Sequence, residues 1–82
     1  MYYVYILKSE THDSKIYIGV TSNVERRLHE HNVGESTYTK SFLHWRLVST
    51  IGFISKVQAE QFEKYLKQGS GFAFMKKHLL PQ

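Results

Sequence analysis

The sequence predicts an α/β (α+β) domain in which a small three-stranded antiparallel sheet is flanked by helices. Three observations carry that prediction. Two segments rich in β-branched and aromatic residues, Tyr2 to Lys8 (YYVYILK) and Lys15 to Ser22 (KIYIGVTS), open the chain on either side of the polar, turn-forming ETHDS. A third segment of mixed alternation, HWRLVSTIGF, follows at residues 44–53. Between and after these strands, apolar residues recur at helical spacing.

The first two segments form a β-hairpin. Side chains alternate along a strand, so Tyr3, Tyr5 and Leu7 share one face, and Tyr17, Gly19 and Thr21 share one face of the partner. A register that sets Tyr5 roughly opposite Tyr17 makes the two phenols neighbours, and a one-residue slip separates them. Ser22 or Asn23 then caps a short helix, VERRLHEHNVG, that stops near Gly34 in a left-handed turn. Its apolar stripe is Val24 and Leu28. Arg27 and His31, four apart, flank the stripe, whereas Glu25, Arg26 and Glu30 point away, which singles out Arg27 over Arg26 for reaching the sheet.

The polar, hydroxyl-rich ESTYTKSF reads as a loop before the third strand. Ser55 and Gln58 have capping-box spacing at the start of SKVQAEQFEKYLK, whose apolar stripe is Ala59, Phe62 and Leu66, with Glu63 beside it. Gly69-Ser70-Gly71 breaks that helix. FAFMKKHLL before Pro81 then forms a last short helix that turns Phe72, Met75 or Leu79 inward.

The chain has 82 residues, which corresponds to one domain over 1–82 and burial of only about 60 to 65% of the unfolded surface. There is no cysteine, which excludes a disulfide framework and a thiolate zinc site, so six Tyr, five Phe and one Trp must supply much of the core. The formal net charge of +4 favours a polyanionic partner. No stretch is apolar and long enough to span a membrane, and the first residues read as strand rather than signal peptide, so a soluble, cytoplasmic protein is expected.

Tyr3-Val4-Tyr5, Tyr17-Ile18-Gly19, Arg27 and His31 in ERRLHEHN, and Glu63 in AEQFEKYLK stand in an order and spacing that resembles the GIY-YIG nuclease superfamily. The second triplet matches the family motif literally and the first is a common variant. The likeness is nearest to small stand-alone bacterial proteins of this type and covers most of the chain. It implies a GIY-YIG nuclease-like fold and a metal-dependent DNA endonuclease, with DNA repair or recombination as its setting. In that reading Tyr17 is the general base, Arg27 binds the scissile phosphate, Glu63 holds one Mg²⁺ or Mn²⁺, and Tyr5 and His31 orient the site. One departure stands out: many relatives carry an asparagine after the metal-binding helix, and none follows Asn32 here, leaving backbone, water or Ser70 to complete the site.

The chemistry is coherent. Phosphodiester hydrolysis needs a base for water, positive charge for the developing phosphorane-like charge and commonly a divalent ion at the leaving oxygen. A phenol ordinarily titrates near about pH 10, so a tyrosine base needs nearby cations or a metal-bound water to stabilise its phenolate form, and Arg27 is a candidate for that cation. The guanidinium fork also fits two phosphate oxygens as a lysine does not. One carboxylate suffices for Mg²⁺ when water and substrate phosphate fill the remaining positions.

Taken singly, each residue has an ordinary role: Tyr5 and Tyr17 as half-buried sheet tyrosines, Arg27 as a solvated helix arginine, His31 as a helix-end histidine, Glu63 with Lys67 as a surface pair. His29 and His31, two apart, diverge on a helix and share no metal. Lys76, Lys77 and His78 read as a solvated face before a phosphate patch. The chain is too short for an added DNA-binding domain, so specificity is expected to be low, set by DNA structure, or supplied by a protein partner. A nucleic-acid-binding module of the same fold that has lost turnover is the alternative, and a protein-interaction domain with a structural tyrosine cluster is a third.

Overall fold

The computed structural model describes residues 1–81. Its elements run β1 (Tyr2–Ser9), β2 (Ile16–Thr21), α1 (Val24–Asn32), α2 (Thr37–Lys40), β3 (Trp45–Phe53), α3 (Lys56–Leu66) and α4 (Gly69–His78). The sheet is three-stranded and antiparallel in the order β2-β1-β3. β1 is therefore the central strand, covered on both faces, which is why Val4, Tyr5, Ile6 and Leu7 are consecutively buried.

Each face of the sheet has its own core. The even residues Val4 and Ile6, with Ile18 from β2, pack against Ala59 and Leu66 of α3 and Met75 of α4. The odd residues Tyr5 and Leu7 pack with Trp45 against Tyr17, Val24, Leu28, Phe42 and Leu43, on the side covered by α1 and α2. Full burial of such aliphatic side chains stabilises the fold by roughly 1.5 to 3 kcal/mol each. The mixed alternation of β3 has a local cause. Ile6 pairs with Ser49 and Leu7 with Leu47, so Val48 is an extra residue in a β-bulge, and Val48 packs on the α3/α4 core.

Four sequence expectations need correction. Tyr5 stands opposite Gly19, and Tyr17 opposite Leu7, so the phenols are diagonal neighbours rather than a direct pair. A two-residue offset preserves the face because the side-chain period is two. Residues 35–42 are not all loop: Thr37–Lys40 form one helical turn after Ser36. The break after α3 falls at Lys67 and Gln68, and α4 already starts at Gly69, which takes a positive φ of 38°. Of the three residues expected to turn inward on α4, Met75 is fully buried and Leu79 half-buried, but Phe72 is 44% exposed.

Capping follows the sequence closely. Asn23 rather than Ser22 caps α1, its side chain accepting from the Arg26 N–H. Gly34 at φ 83° ends that helix, with Gly34 N–H donating to the His31 carbonyl and Glu35 N–H to the Glu30 carbonyl, a Schellman closure. Ser55 Oγ accepts from Gln58 N–H at the start of α3.

Candidate active site

Three elements bring four of the five predicted residues together on the α1 side of the sheet. Tyr5 is mid-strand in β1, Tyr17 lies near the start of β2, and Arg27 and His31 are one turn apart on α1. The Tyr5 and Tyr17 rings have centroids 6.1 Å apart; His31 lies 5.9 Å from Tyr5 and 4.6 Å from Tyr17. Gly19 makes this possible. A Cβ at Gly19 would sit 2.5 Å from the Tyr5 phenolic oxygen and 2.7 Å from Cζ, so the Tyr5 ring occupies the space that any other residue would fill.

Tyr5 and His31 are both buried and hydrogen-bonded to each other, phenolic oxygen to Nε2 at 3.0 Å. Beyond the ring, His31 Nδ1 and Thr39 Oγ1 are 2.9 Å apart, and Thr39 Oγ1 donates to the Ser36 carbonyl at 3.5 Å. Burial, reinforced by the neighbouring Tyr17, pushes the Tyr5 phenol up to about 12, so it keeps its proton. Burial and the Arg27 charge hold the His31 imidazole below its usual range, leaving a neutral ring. Tyr17, by contrast, is half-buried and lines an open cleft. Of the two phenols, Tyr17 is the one a solvent molecule can reach.

Arg27 acts electrostatically on both phenols, and its positive charge is reinforced first by Glu30, whose Oε1 accepts from Arg27 Nη1 at 2.9 Å. Glu30 thus does not point away as the sequence implied; it is half-buried and also lies 3.7 Å from Arg26 Nε. Arg26 itself is exposed while Arg27 is half-buried.

Glu63 is on α3, which packs on the opposite face of the sheet, and its Oε2 accepts from Lys67 Nζ at 2.8 Å. No hydrogen bond or ion pair joins it to the other four among the described residues. The link runs round the sheet edge. Ile16, Tyr17 and Ile18 of edge strand β2 line a cleft of about 360 Å³ with Tyr38 on one side and Lys67, Phe72 and Met75 on the other, so Tyr17 and the partner of Glu63 share one opening. Among the described residues no group of three or more His, Cys, Asp or Glu is placed to hold a metal ion. Glu63 offers hard oxygen donors, which fits Mg²⁺ or Mn²⁺ with a shell completed by water and substrate oxygens, and not a soft, fully protein-bound ion.

A family model described as the GIY-YIG catalytic domain matches residues 1–77. The chain belongs to the GIY-YIG family. Among curated proteins, this GIY-YIG chain is 43% identical over 67 residues to a UPF0213 protein of Natronomonas pharaonis, covering 80% of this chain and 76% of that one. It is 44% identical over 69 residues to the structure-specific endonuclease subunit SLX1 of Scheffersomyces stipitis, covering 76% of this chain but 20% of that protein. A solution structure of a UPF0213 protein of Bacillus halodurans superposes with a TM-score of 0.54 at 35% identity, over 94% of this chain and 82% of that one. The three-stranded antiparallel sheet with helices is thus the GIY-YIG fold. No helix among the described residues is long and apolar enough to cross a membrane.

Sequence reasoning missed several residues around this GIY-YIG site. Tyr38, with its ring 6.3 Å from that of Tyr17, and Thr39, buried behind His31, both lie in the turn read as loop. Asn32 pins the site from beneath: its Nδ2 donates to the Trp45 carbonyl at 3.0 Å and its Oδ1 accepts the Trp45 N–H at 2.7 Å, tying the end of α1 to the start of β3. The available signal for Asn32 was an amide at a helix end. Ser70, offered as a substitute for the missing asparagine, is exposed in the first turn of α4. Lys76 and His78 lie along α4, the Lys76 ammonium 5.7 Å from the centre of the Phe72 ring and the His78 ring 4.9 Å from Phe74.

Proposed function

We propose that this chain is a divalent-metal-dependent DNA endonuclease that hydrolyses phosphodiester bonds with low or structure-dependent sequence preference. The observation that carries the reading is the convergence of Tyr5, Tyr17, Arg27 and His31 on one sheet face in a chain of the GIY-YIG family. Arg27 receives two oxygens of the scissile phosphate, turning from Glu30 to do so. Tyr17, open to the cleft and beside the Arg27 charge, takes the proton of the attacking water in its phenolate form and becomes the neutral phenol. Tyr5 stays protonated and, with His31, holds the geometry. Glu63 would hold the Mg²⁺ or Mn²⁺, which when bound supplies charge neutralisation at the phosphate and leaving oxygen. The relationship to a protein named as a structure-specific endonuclease subunit supports a substrate read by its shape, and a protein partner that adds specificity.

The test is incubation of labelled single-stranded, duplex, nicked and branched DNA with the wild-type, Glu63→Ala and Tyr17→Phe proteins, with and without Mn²⁺. Wild type should cut only with the ion; Glu63→Ala should stay folded and inactive, and Tyr17→Phe should lose about 10² to 10⁴ in single-turnover rate. Full Mn²⁺-dependent activity in folded Glu63→Ala would falsify the metal assignment. Salt-sensitive binding of every DNA without cleavage of any would instead establish the silent binding module.

A further inference from the structure

We infer that Thr39 is a positioning residue that fixes the tautomer of His31, and thereby makes Tyr5 present a lone pair rather than a proton to the reacting side of the site. The inference rests on the nuclease reading for its catalytic consequence, but its structural content stands apart from it. Thr39 is fully buried in α2, and its own backbone is held because its carbonyl accepts from Trp45 Nε1 at 2.8 Å. Its hydroxyl has two neighbours: the Ser36 carbonyl, which can only accept, and His31 Nδ1 at 2.9 Å. Assigning the Thr39 hydrogen to Ser36 makes Thr39 Oγ1 the acceptor at 2.9 Å and places the imidazole proton on Nδ1.

The other end of the ring agrees. With Nδ1 protonated and the ring neutral, Nε2 is an acceptor, and Tyr5 3.0 Å away donates its phenolic hydrogen to it. The nearby Arg27 guanidinium has only donors, so it favours a Tyr5 oxygen that turns a lone pair toward it. The chain of donors therefore runs one way: Tyr5 to His31, His31 to Thr39, Thr39 to Ser36. In the opposite tautomer Tyr5 would accept from Nε2 and turn its hydrogen toward Arg27 and Tyr17. Its hydrogen would then point at the Arg27 donors or sit on the Tyr17 oxygen, where it would compete with the proton that Tyr17 has to take. No buried side-chain nitrogen or oxygen among the described residues lacks a partner, and the one-way arrangement matches a donor to an acceptor at every link of this chain.

The experiment is two-dimensional NMR of the imidazole nitrogens in the ¹⁵N-histidine-labelled full chain, comparing wild type, Thr39→Val and Thr39→Ser, alongside single-turnover cleavage. Wild-type His31 should show a protonated Nδ1 and an unprotonated Nε2. Thr39→Val, nearly the same shape without the hydroxyl, should shift the ring toward Nε2 protonation. It should lower the maximal cleavage rate at least about 10-fold, within the about 10⁴-fold that loss of a tautomer-setting partner can cost, with little change in KM. Thr39→Ser should restore both signals. A wild-type ring protonated on Nε2, or a Thr39→Val protein with unchanged tautomer and rate, overturns the inference. The wild-type spectrum decides the tautomer even where Thr39→Val fails to fold. Absence of all cleavage with the Nδ1 tautomer present would count against the nuclease reading alone.

Discussion

Replacing Gly19 by alanine isolates the contact that shapes the site. The new methyl would lie 2.5 Å from the Tyr5 phenolic oxygen, 2.7 Å from Cζ and 2.9 Å from Cε1, whereas carbon atoms settle at about 3.5 to 4.0 Å. The ring end would therefore have to move by roughly 1 Å. A tyrosine at the surface would swing aside at little cost. Tyr5 cannot, because it is 1% exposed and anchored to His31 at 3.0 Å. Overpacking of this kind costs about 1 to 3 kcal/mol, and a weakened Tyr5–His31 bond adds about 1 kcal/mol. Alanine returns about 0.5 to 1 kcal/mol through its better backbone entropy in a strand. The net expectation is about 1 to 3 kcal/mol of destabilisation, at about 4 to 8 °C of Tm per kcal/mol for a domain of this size. Thermal and urea unfolding of Gly19→Ala, Tyr5→Phe and the double variant measure it. Phenylalanine removes the nearest atom and the anchor together, so the double variant should be more stable than the sum of the singles predicts by at least about 0.5 kcal/mol. Unchanged stability in Gly19→Ala with additive energies in the cycle would refute the reasoning that the glycine exists to seat this ring.

Arg27→Ala should reduce cleavage at least about 100-fold and Arg26→Ala far less, measured on one DNA substrate, because only Arg27 is half-buried beside the phenols; equal losses would mean that both serve general DNA affinity. Stability should also fall at both ends of the pH scale. The Tyr5 phenol is raised to about 12 from an ordinary 10, so its contribution is complete below about pH 10 and is lost as pH rises through 12, on the order of 2 to 3 kcal/mol that Tyr5→Phe should remove from the alkaline limb of urea-unfolding profiles. His31 is depressed, so its contribution is present above its ordinary value of about 6.5 and is lost as pH falls below it; Tm measured from pH 7.5 downward should show the decline, and a flat profile would count against a neutral buried ring.

Most of the architecture was legible because it rests on local signals. The hairpin, α1, β3 and α3 each carry a period or a cap that the sequence displays, and Tyr5 and Tyr17 share one face although they stand diagonally rather than directly opposite. The short turn α2 was not legible. Four residues cannot show a helical period, and this turn is held from outside, by Trp45 Nε1 on the Thr39 carbonyl. The relation of Glu63 to the rest was hidden for another reason. Ala59, Phe62 and Leu66 declare that α3 has a buried face but not which side of the sheet receives it, and α1 and α3 take opposite sides. Glu30 was hidden because its angle from the apolar stripe points it to solvent, whereas its position three residues after Arg27 makes it a neighbour of that guanidinium on the helix surface.

That two-sided construction constrains how the site can be completed. Arg27 and Glu63, the charged groups assigned to phosphate and cation, each hold an internal counter-ion: Glu30 at 2.9 Å and Lys67 at 2.8 Å. Each pair lies within one turn of its helix and keeps partial solvent access, and helix pairs at this spacing are worth about 0.3 to 0.5 kcal/mol. Incoming phosphate can therefore displace Glu30, and a divalent cation can displace Lys67, at small cost. The two displacements differ in consequence. Glu30, released, remains beside two arginines, whereas Lys67, released, is a cation lining the cleft that opens on Tyr17. An anionic strand lying across edge strand β2 would meet Arg27 on one side and the freed Lys67 on the other. Binding of the cation and of the strand should then reinforce each other, since each removes the counter-charge that opposes the other.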